Sequence, residues 1–380
     1  MRRTAVLASL VVALATTACQ DAITEPTSVG FEPAASALVA GTYTIDRGSA
    51  VLPDGKLSDR DLLEICSRAI DGEDYVCPPS TEVIAWYLDS FYSALDTEEA
   101  NTLNLYNLAA DLVVTYDALL YQNSAVPQSY GYNGEYTTVL NHTIRDIKRF
   151  WDIPGASIEV VGMHGTSLLD TARVARVYRT VFGIPAATAQ VYASIVRSSV
   201  VNSVVFNGGN HPFFSFNAFA FGGSTGGRIA MGDGMMAGYT AMGFSDVAPQ
   251  AVFAHEYAHH IQYQNDYFND AIPGATTAAE ETRYTELMAD AYSAYYLTHA
   301  RGQALNKHRV AEFFEAFFQI GDCGFTSSGH HGTPAQRMRA AQFGFRIADA
   351  AQKQGHIMSS EAFHDLFVAE YPTLVAPDAI

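Results

Sequence analysis

Between Val252 and Ile261 the chain runs apolar, yet this run carries His255, Glu256 and His259. Val252, Phe253, Ala254, Tyr257, Ala258 and Ile261 spread apolar surface around the whole segment, which predicts a helix buried on every side. Asp246 and Pro249 mark its start. A buried helix tolerates ionisable side chains only where each has a partner. Residues i and i+4 share a face, so both imidazoles point at one place, where each reaches a metal ion at roughly 2.0–2.1 Å. Glu256, beside the first imidazole, is placed to act on water there rather than to bind the ion. The same residues also suit a helix whose histidines are only hydrogen-bonded within a core.

Two imidazoles do not complete a site of three protein ligands with one position open. Downstream, Ala278 to Ala300 reads as a second long helix with Glu280, Glu281, Glu286 and Asp290 as its acidic residues. Glu286 is the best candidate for the third ligand, because Leu287-Met288-Ala289 follows it and puts it on an apolar face. Asp290, one turn later on that face, can accept a hydrogen bond from a ligating imidazole. Glu280 and Glu281 sit at the helix start, where acidic residues simply favour the dipole.

His255-Glu256-x-x-His259 followed by Glu286-x-x-x-Asp290 resembles the arrangement of the gluzincins, the metallopeptidase group that includes thermolysin. Upstream, Asn217-Ala218-Phe219 and Arg228 to Gly234 look like that group's edge strand and the strand-turn leading into the zinc helix. A nearer likeness is to the bacterial neutral zinc metallopeptidases. It rests on His255 to Gln262, Glu286-Leu287-x-Ala289-Asp290, Ile320-Gly321-Asp322 and His331-Gly332-Thr333-x-x-Gln336-Arg337, and it covers residues 210 to 345. The resemblance implies an α+β, mainly helical chain with a zincin-like catalytic domain and a short antiparallel sheet beside the helix of His255. It further implies one Zn²⁺ per chain on His255, His259 and Glu286, with Glu256 as general base and a peptide or protein as substrate. Asn217 and Ala218 would bind the substrate backbone.

Thr333-Pro334-Ala335-Gln336 is a helix start with an N-cap Thr, Pro at the first helical position and Gln at the capping-box position. It fixes His331 just before a rigid element. By analogy with thermolysin-like enzymes, His331 donates to the oxyanion of a tetrahedral intermediate. His330 is a rival for that role, and His331 as a mere cap or packing residue is the other reading.

Arg2-Arg3, an apolar run from Ala5 to Ala18 and Thr16-Thr17-Ala18-Cys19 read as a secretory signal over residues 1–18. Cys19 after small residues resembles a bacterial lipoprotein box, with cleavage that leaves Cys19 bare as the alternative. Residues 19–36, polar with Pro26 and Pro33, read as a tether. The expectation is an exported envelope protein that meets the membrane only through a lipid anchor. Once Arg2 and Arg3 are removed, 20 basic residues face 40 acidic ones, a net charge of −20. Such a surface repels nucleic acid and gains nothing from anionic lipid.

With 4 cysteines and 48% hydrophobic residues, the core must be packed rather than stapled. Cys66 and Cys77 bracket the acidic loop Asp71-Gly72-Glu73-Asp74 and would pair in an oxidising compartment, while Cys323 reads as an inert buried thiol. Periodicity predicts helices near 57–70, 79–95, 97–123, 140–151, 168–182, 186–205, 247–265, 278–301, 306–320, 333–354 and 359–370. Strands are predicted near 157–162, 213–221 and 228–232. The glycine run Gly222 to Gly227 lacks the Lys-Ser/Thr ending of a phosphate loop and reads as a hairpin turn. His164 reads as a satisfied loop residue. These elements divide into a mainly helical region, 37–200, and a zincin-like domain, 201–380.

Three functions compete: a zinc endopeptidase, a catalytically silent zinc-binding module of the envelope, and a zinc hydrolase of non-peptide bonds. An intact Glu256 argues against the second, and the peptide-binding strand near Asn217 against the third. Cys19→Ser should release the protein from the membrane fraction, and the mass of the mature N-terminus checks this. An unmodified Cys19 or Gln20 start would remove the anchor.

Overall fold

The computed structural model describes residues 94–106, 108, 112–223, 226–270, 272, 278–318, 332–352 and 355–376. The expected leader and tether with Cys19, the first two predicted helices, the Cys66–Cys77 pair, Cys323, His330 and His331 lie outside the described residues. In chain order the elements are α1 (Thr97–Leu105), α2 (Leu112–Leu120), α3 (Thr137–Phe150), β1 (Ile158–Met163), α4 (Thr171–Thr180) and α5 (Ala186–Asn202). Then follow β2 (Ala218–Gly223), β3 (Gly226–Gly232), α6 (Asp233–Ala241), α7 (Ala248–Asn265), α8 (Ala278–Thr298), α9 (Lys307–Phe318), α10 (Pro334–Gln352) and α11 (Ser360–Leu374).

The described residues are mainly helical with one three-stranded sheet, an α+β composition. The strand order is β1-β3-β2, with β2 antiparallel and β1 parallel to β3. The sheet is therefore mixed, where a purely antiparallel one was expected. β2 and β3 pair as neighbours in sequence, with Gly222 opposite Gly227 and Gly223 opposite Gly226. β1 instead reaches β3 through α4 and α5, the kind of long crossover that a parallel pair requires. The sheet thus crosses the expected boundary near residue 200.

Period-two alternation sorts the strands onto two cores. Ile158, Ala218, Ala220, Ile229 and Met231 join the core around α7 and α8. Val161, Met163, Phe219 and Ala230 join the core built by α2, α4 and α5. With helices covering both faces, the sheet is an inner layer.

Helix α7 is buried without interruption from Ala248 to Gln262. Pro249 occupies its first turn as expected, but Asp246 provides no cap. Its carboxylate is taken by Arg309, whose Nε donates to Oδ2 at 3.0 Å. Asp266, in the left-handed region at φ 64°, ends the helix. Helix α8 is buried from Tyr284 to Thr298 and packs against both α7 and α10. Trp151, just past α3, packs on Tyr292 and Tyr295 of α8, and Phe363 of α11 closes the cluster. Among the described residues no helix is long and apolar enough to cross a membrane.

Three local expectations need correction. The single helix expected over 97–123 is two, because the Leu108 N–H closes back onto the Leu103 carbonyl and ends α1. The strand expected from 213 starts only at Ala218, because Pro212 and a His211 side chain that accepts from the Phe213 N–H wind Pro212–Ser215 into a 3₁₀ turn. The strand-turn expected after Gly232 is the nine-residue helix α6.

The approach of α10 to α8 depends on Gly344. A β-carbon there would lie 2.3 Å from the Ala291 carbonyl oxygen and 2.9 Å from the Tyr295 nitrogen, both backbone atoms. Gly344→Ala should therefore cost about 1–3 kcal/mol, as overpacking does. In a thermal melt this lowers the midpoint by roughly 2–4 °C per kcal/mol. An unchanged midpoint would show that the helices separate without cost.

Candidate metal centre

Helices α7 and α8 lie against each other with their ionisable residues on the shared faces. His255 Nε2 stands 3.2 Å from Glu286 Oε2, and His259 Nε2 stands 3.4 Å from Glu286 Oε1. One donor atom from each of the three side chains falls within 4.8 Å of the others, and all three residues are buried. Ligands at 2.0–2.1 Å from a tetrahedral ion stand roughly 3.3–3.4 Å apart. Each nitrogen meets a different oxygen of Glu286 at about that separation, and the two nitrogens and one carboxylate form a donor set that could hold a metal ion. Glu281 is exposed and Glu280 half-buried, and neither belongs to this group.

The partners behind the ligands fix which nitrogen faces the site. A carbonyl only accepts, so the 2.6 Å contact of Gln262 Nε2 with the Thr285 carbonyl orients that amide. Gln262 Oε1 then accepts from His259 Nδ1 at 2.9 Å, which leaves the lone pair on Nε2. His255 Nδ1 donates likewise to Asp290 Oδ1, 3.1 Å away. Asp290 also receives Arg337, whose Nε reaches Oδ2 at 2.8 Å and whose Nη2 reaches Oδ1 at 2.9 Å. The Arg337 Nη2 lies 3.7 Å from Glu286 Oε2. The expected capping box sets the start of α10: Thr333 Oγ1 accepts from the Gln336 N–H, and Gln336 Oε1 accepts from the Thr333 N–H, both at 3.1 Å.

Burial and neighbours set the charges. Burial lowers the pKa of His255, but Asp290 and Glu286 outweigh it and hold the imidazole above its ordinary value. Burial dominates at His259 and takes it below. At Glu256, burial pushes the carboxyl up to about 7; His255 opposes the rise, Glu286 adds to it, and the Ala220 N–H and Arg337 also oppose it. His260 turns away from the trio and lies 3.3 Å from the Arg228 carbonyl, with burial lowering its pKa to about 4. That residue is a neutral core histidine, donating to a strand.

Asn217 directly precedes β2 and Ala218 opens it, both buried. The Asn217 carbonyl accepts from the Gly232 N–H, while its side-chain Oδ1 is buried with no hydrogen-bond partner among the described residues. His164 is satisfied away from the site, its Nδ1 2.6 Å from Asp233 Oδ2. Sequence reasoning assigned no role to Gln262, Tyr263 or Arg337. Tyr263, whose phenol is pushed up by burial and by the carboxylates of Glu256 and Glu286, lies one turn beyond His259. Helical spacing from His259 was signal enough for Gln262 and Tyr263; no local signal pairs Arg337 with Asp290, 47 positions away.

Purified full-length protein should carry about one equivalent of divalent metal, and His255→Ala, His259→Ala and Glu286→Ala should each lower it. Elemental analysis decides this. Full metal content in Glu286→Ala would remove that residue from the ligand set.

Compared with known proteins, the chain matches no family model, no curated protein and no solved structure.

Proposed function

We propose that this chain is a zinc-dependent endopeptidase of zincin-like fold and gluzincin type, exported and held at the envelope through lipid on Cys19. The observation that carries the reading is the buried trio His255, His259 and Glu286 with its donor atoms within 4.8 Å of one another, and with the carboxylate of Glu256 beside it and left out of the donor set. Two imidazoles and one carboxylate form a common set for catalytic zinc, which leaves the fourth position open. When bound, zinc supplies Lewis acidity toward a carbonyl oxygen and brings the pKa of water toward about 7. Glu256 takes the proton from the attacking water and passes it to the leaving amine.

The geometry of β2 supports a peptide as the substrate. The Asn217 carbonyl faces β3, so alternation turns the backbones of Ala218 and Ala220 to the opposite edge, where Glu256 takes the Ala220 N–H. An extended peptide adds to such an edge by main-chain hydrogen bonds. The unpartnered Oδ1 of Asn217 provides an acceptor for a substrate N–H. In this reading His331 donates to the oxyanion.

Glu256→Gln should keep its metal and lose about 10²–10⁴-fold in turnover, since the amide preserves shape but accepts no proton. Digestion of a peptide library by the full chain, with and without chelator, measures this. A loss below tenfold means that Glu256 is not the base; a library left intact by metal-loaded wild type sinks the peptidase reading.

A further inference from the structure

Positive charge is scarce on this chain, with 22 basic residues against 40 acidic ones. Arg173, Arg176 and Arg179 nevertheless recur at every third position along α4. All three line one cleft of about 500 Å³ between α4 and the start of α5, where Ala186 and Gln190 form the opposite wall. Among the described residues no carboxylate lines it. Like charges one helical turn apart repel, so the stripe costs stability until an anion meets it.

The protein relieves that repulsion only in part. Arg173 forks onto the buried Asp117: its Nε reaches Oδ1 at 3.0 Å and its Nη2 contacts Oδ2, while Nη2 also donates to Gln122 Oε1 at 2.6 Å. Arg176 lies over the Tyr121 ring, its Cζ 3.9 Å from the centroid, and approaches Asp117 no nearer than 4.0 Å. Arg179 is exposed and meets no carboxylate among the described residues. Asp170 is spent on the start of α4, where its Oδ1 accepts from the Ala172 and Arg173 N–H groups. Three guanidinium groups against the one carboxylate of Asp117 leave a charge of +2 at the cleft.

We propose that this cleft binds the phosphate monoester of a small soluble molecule through Arg176 and Arg179. A planar guanidinium matches phosphate oxygens two at a time, and a monoester carries about −1.5 to −2 at pH 7, the charge that the cleft lacks. Ligand clefts span roughly 300–1,000 Å³, so this one takes more than a bare ion, and Ala175 and Ala186 offer apolar wall to the rest of the molecule. The acidic balance of the whole chain repels a long polyanion, which favours a small ligand. Helices α4 and α5 belong to the core on the side of the sheet away from α7, so the inference is independent of the metal centre.

The test is calorimetric titration of the full chain with phenyl phosphate, inorganic phosphate and benzoate at physiological ionic strength. Wild type is compared with Arg176→Gln, Arg179→Gln and Arg179→Lys, with circular dichroism to monitor folding. Arg179 supports no contact among the described residues, so its variants are the least able to disturb the fold. Wild type should bind phenyl phosphate more tightly than inorganic phosphate, which leaves the apolar wall unused, and more tightly than benzoate, which carries one charge. Each Gln variant should lose about tenfold in affinity for phenyl phosphate, the lower end for a hydrogen bond to a charged group at an exposed position. Arg179→Lys should keep part of it, as charge without the fork. Equal binding of benzoate reduces the cleft to a charged surface and overturns the proposal. Equal binding of inorganic phosphate reduces the ligand to the bare ion and overturns the monoester. Full affinity in both Gln variants places the anion elsewhere, the metal centre included, and overturns the site, as does wild type that binds none of the three. Capture by vesicles containing phosphatidic acid without binding of phenyl phosphate moves the ligand to a lipid headgroup and overturns the soluble one.

Discussion

Burial of charge governs this structure. His255, Glu256, His259, Glu286, Asp290 and Arg337 all lie in the contact of α7, α8 and α10, each of them at most 6% exposed. Isolated ionised groups there would cost several kcal/mol apiece, so each must find a partner of fixed geometry. The hydrogen bonds of the site are the solution. Gln262 holds His259, Asp290 holds His255, and Arg337 holds Asp290. Because the links of Gln262 to Thr285, Asp290 to His255 and Arg337 to Asp290 run between helices, the helices cannot slide without breaking them.

The apolar layers supply the rigidity on which those links depend. The sheet lies under α7 and presents Ala218, Ala220, Ile229 and Met231 to it, small or slender side chains that let the helix approach. On the other side of the sheet, Phe219 and Ala230 enter a second core. Asn217 and Ala218 therefore stand at a sheet edge fixed from both faces, beside the strand residue whose N–H meets Glu256. Trp151 and Phe363 clamp the far end of α8 through its tyrosines.

Much was legible in the chain because it is local. The helix of His255, its Pro249 start, the pairing of Gly222 with Gly227 and the Thr333–Gln336 box each depend on contacts a few residues apart. Errors arose where a local pattern had two solutions. Helical periodicity over 97–123 suits one helix or two, and only the Leu108 to Leu103 closure selects two. Phe213 and Phe214 suit a strand by composition, yet Pro212 and His211 wind them into a turn.

By itself the sequence determined most of the described elements and the ligand candidates, since helical periodicity places His255 and His259 on one face and sets Asp290 one turn from Glu286. The tertiary structure alone decided that β1 joins the sheet in parallel, that Asp246 serves Arg309 rather than a cap, and that Arg337 closes on Asp290. Those contacts join residues far apart in the chain. Periodicity reports which way a side chain faces on its own element; which element lies opposite is fixed only when apolar faces pack and the buried charges find one another.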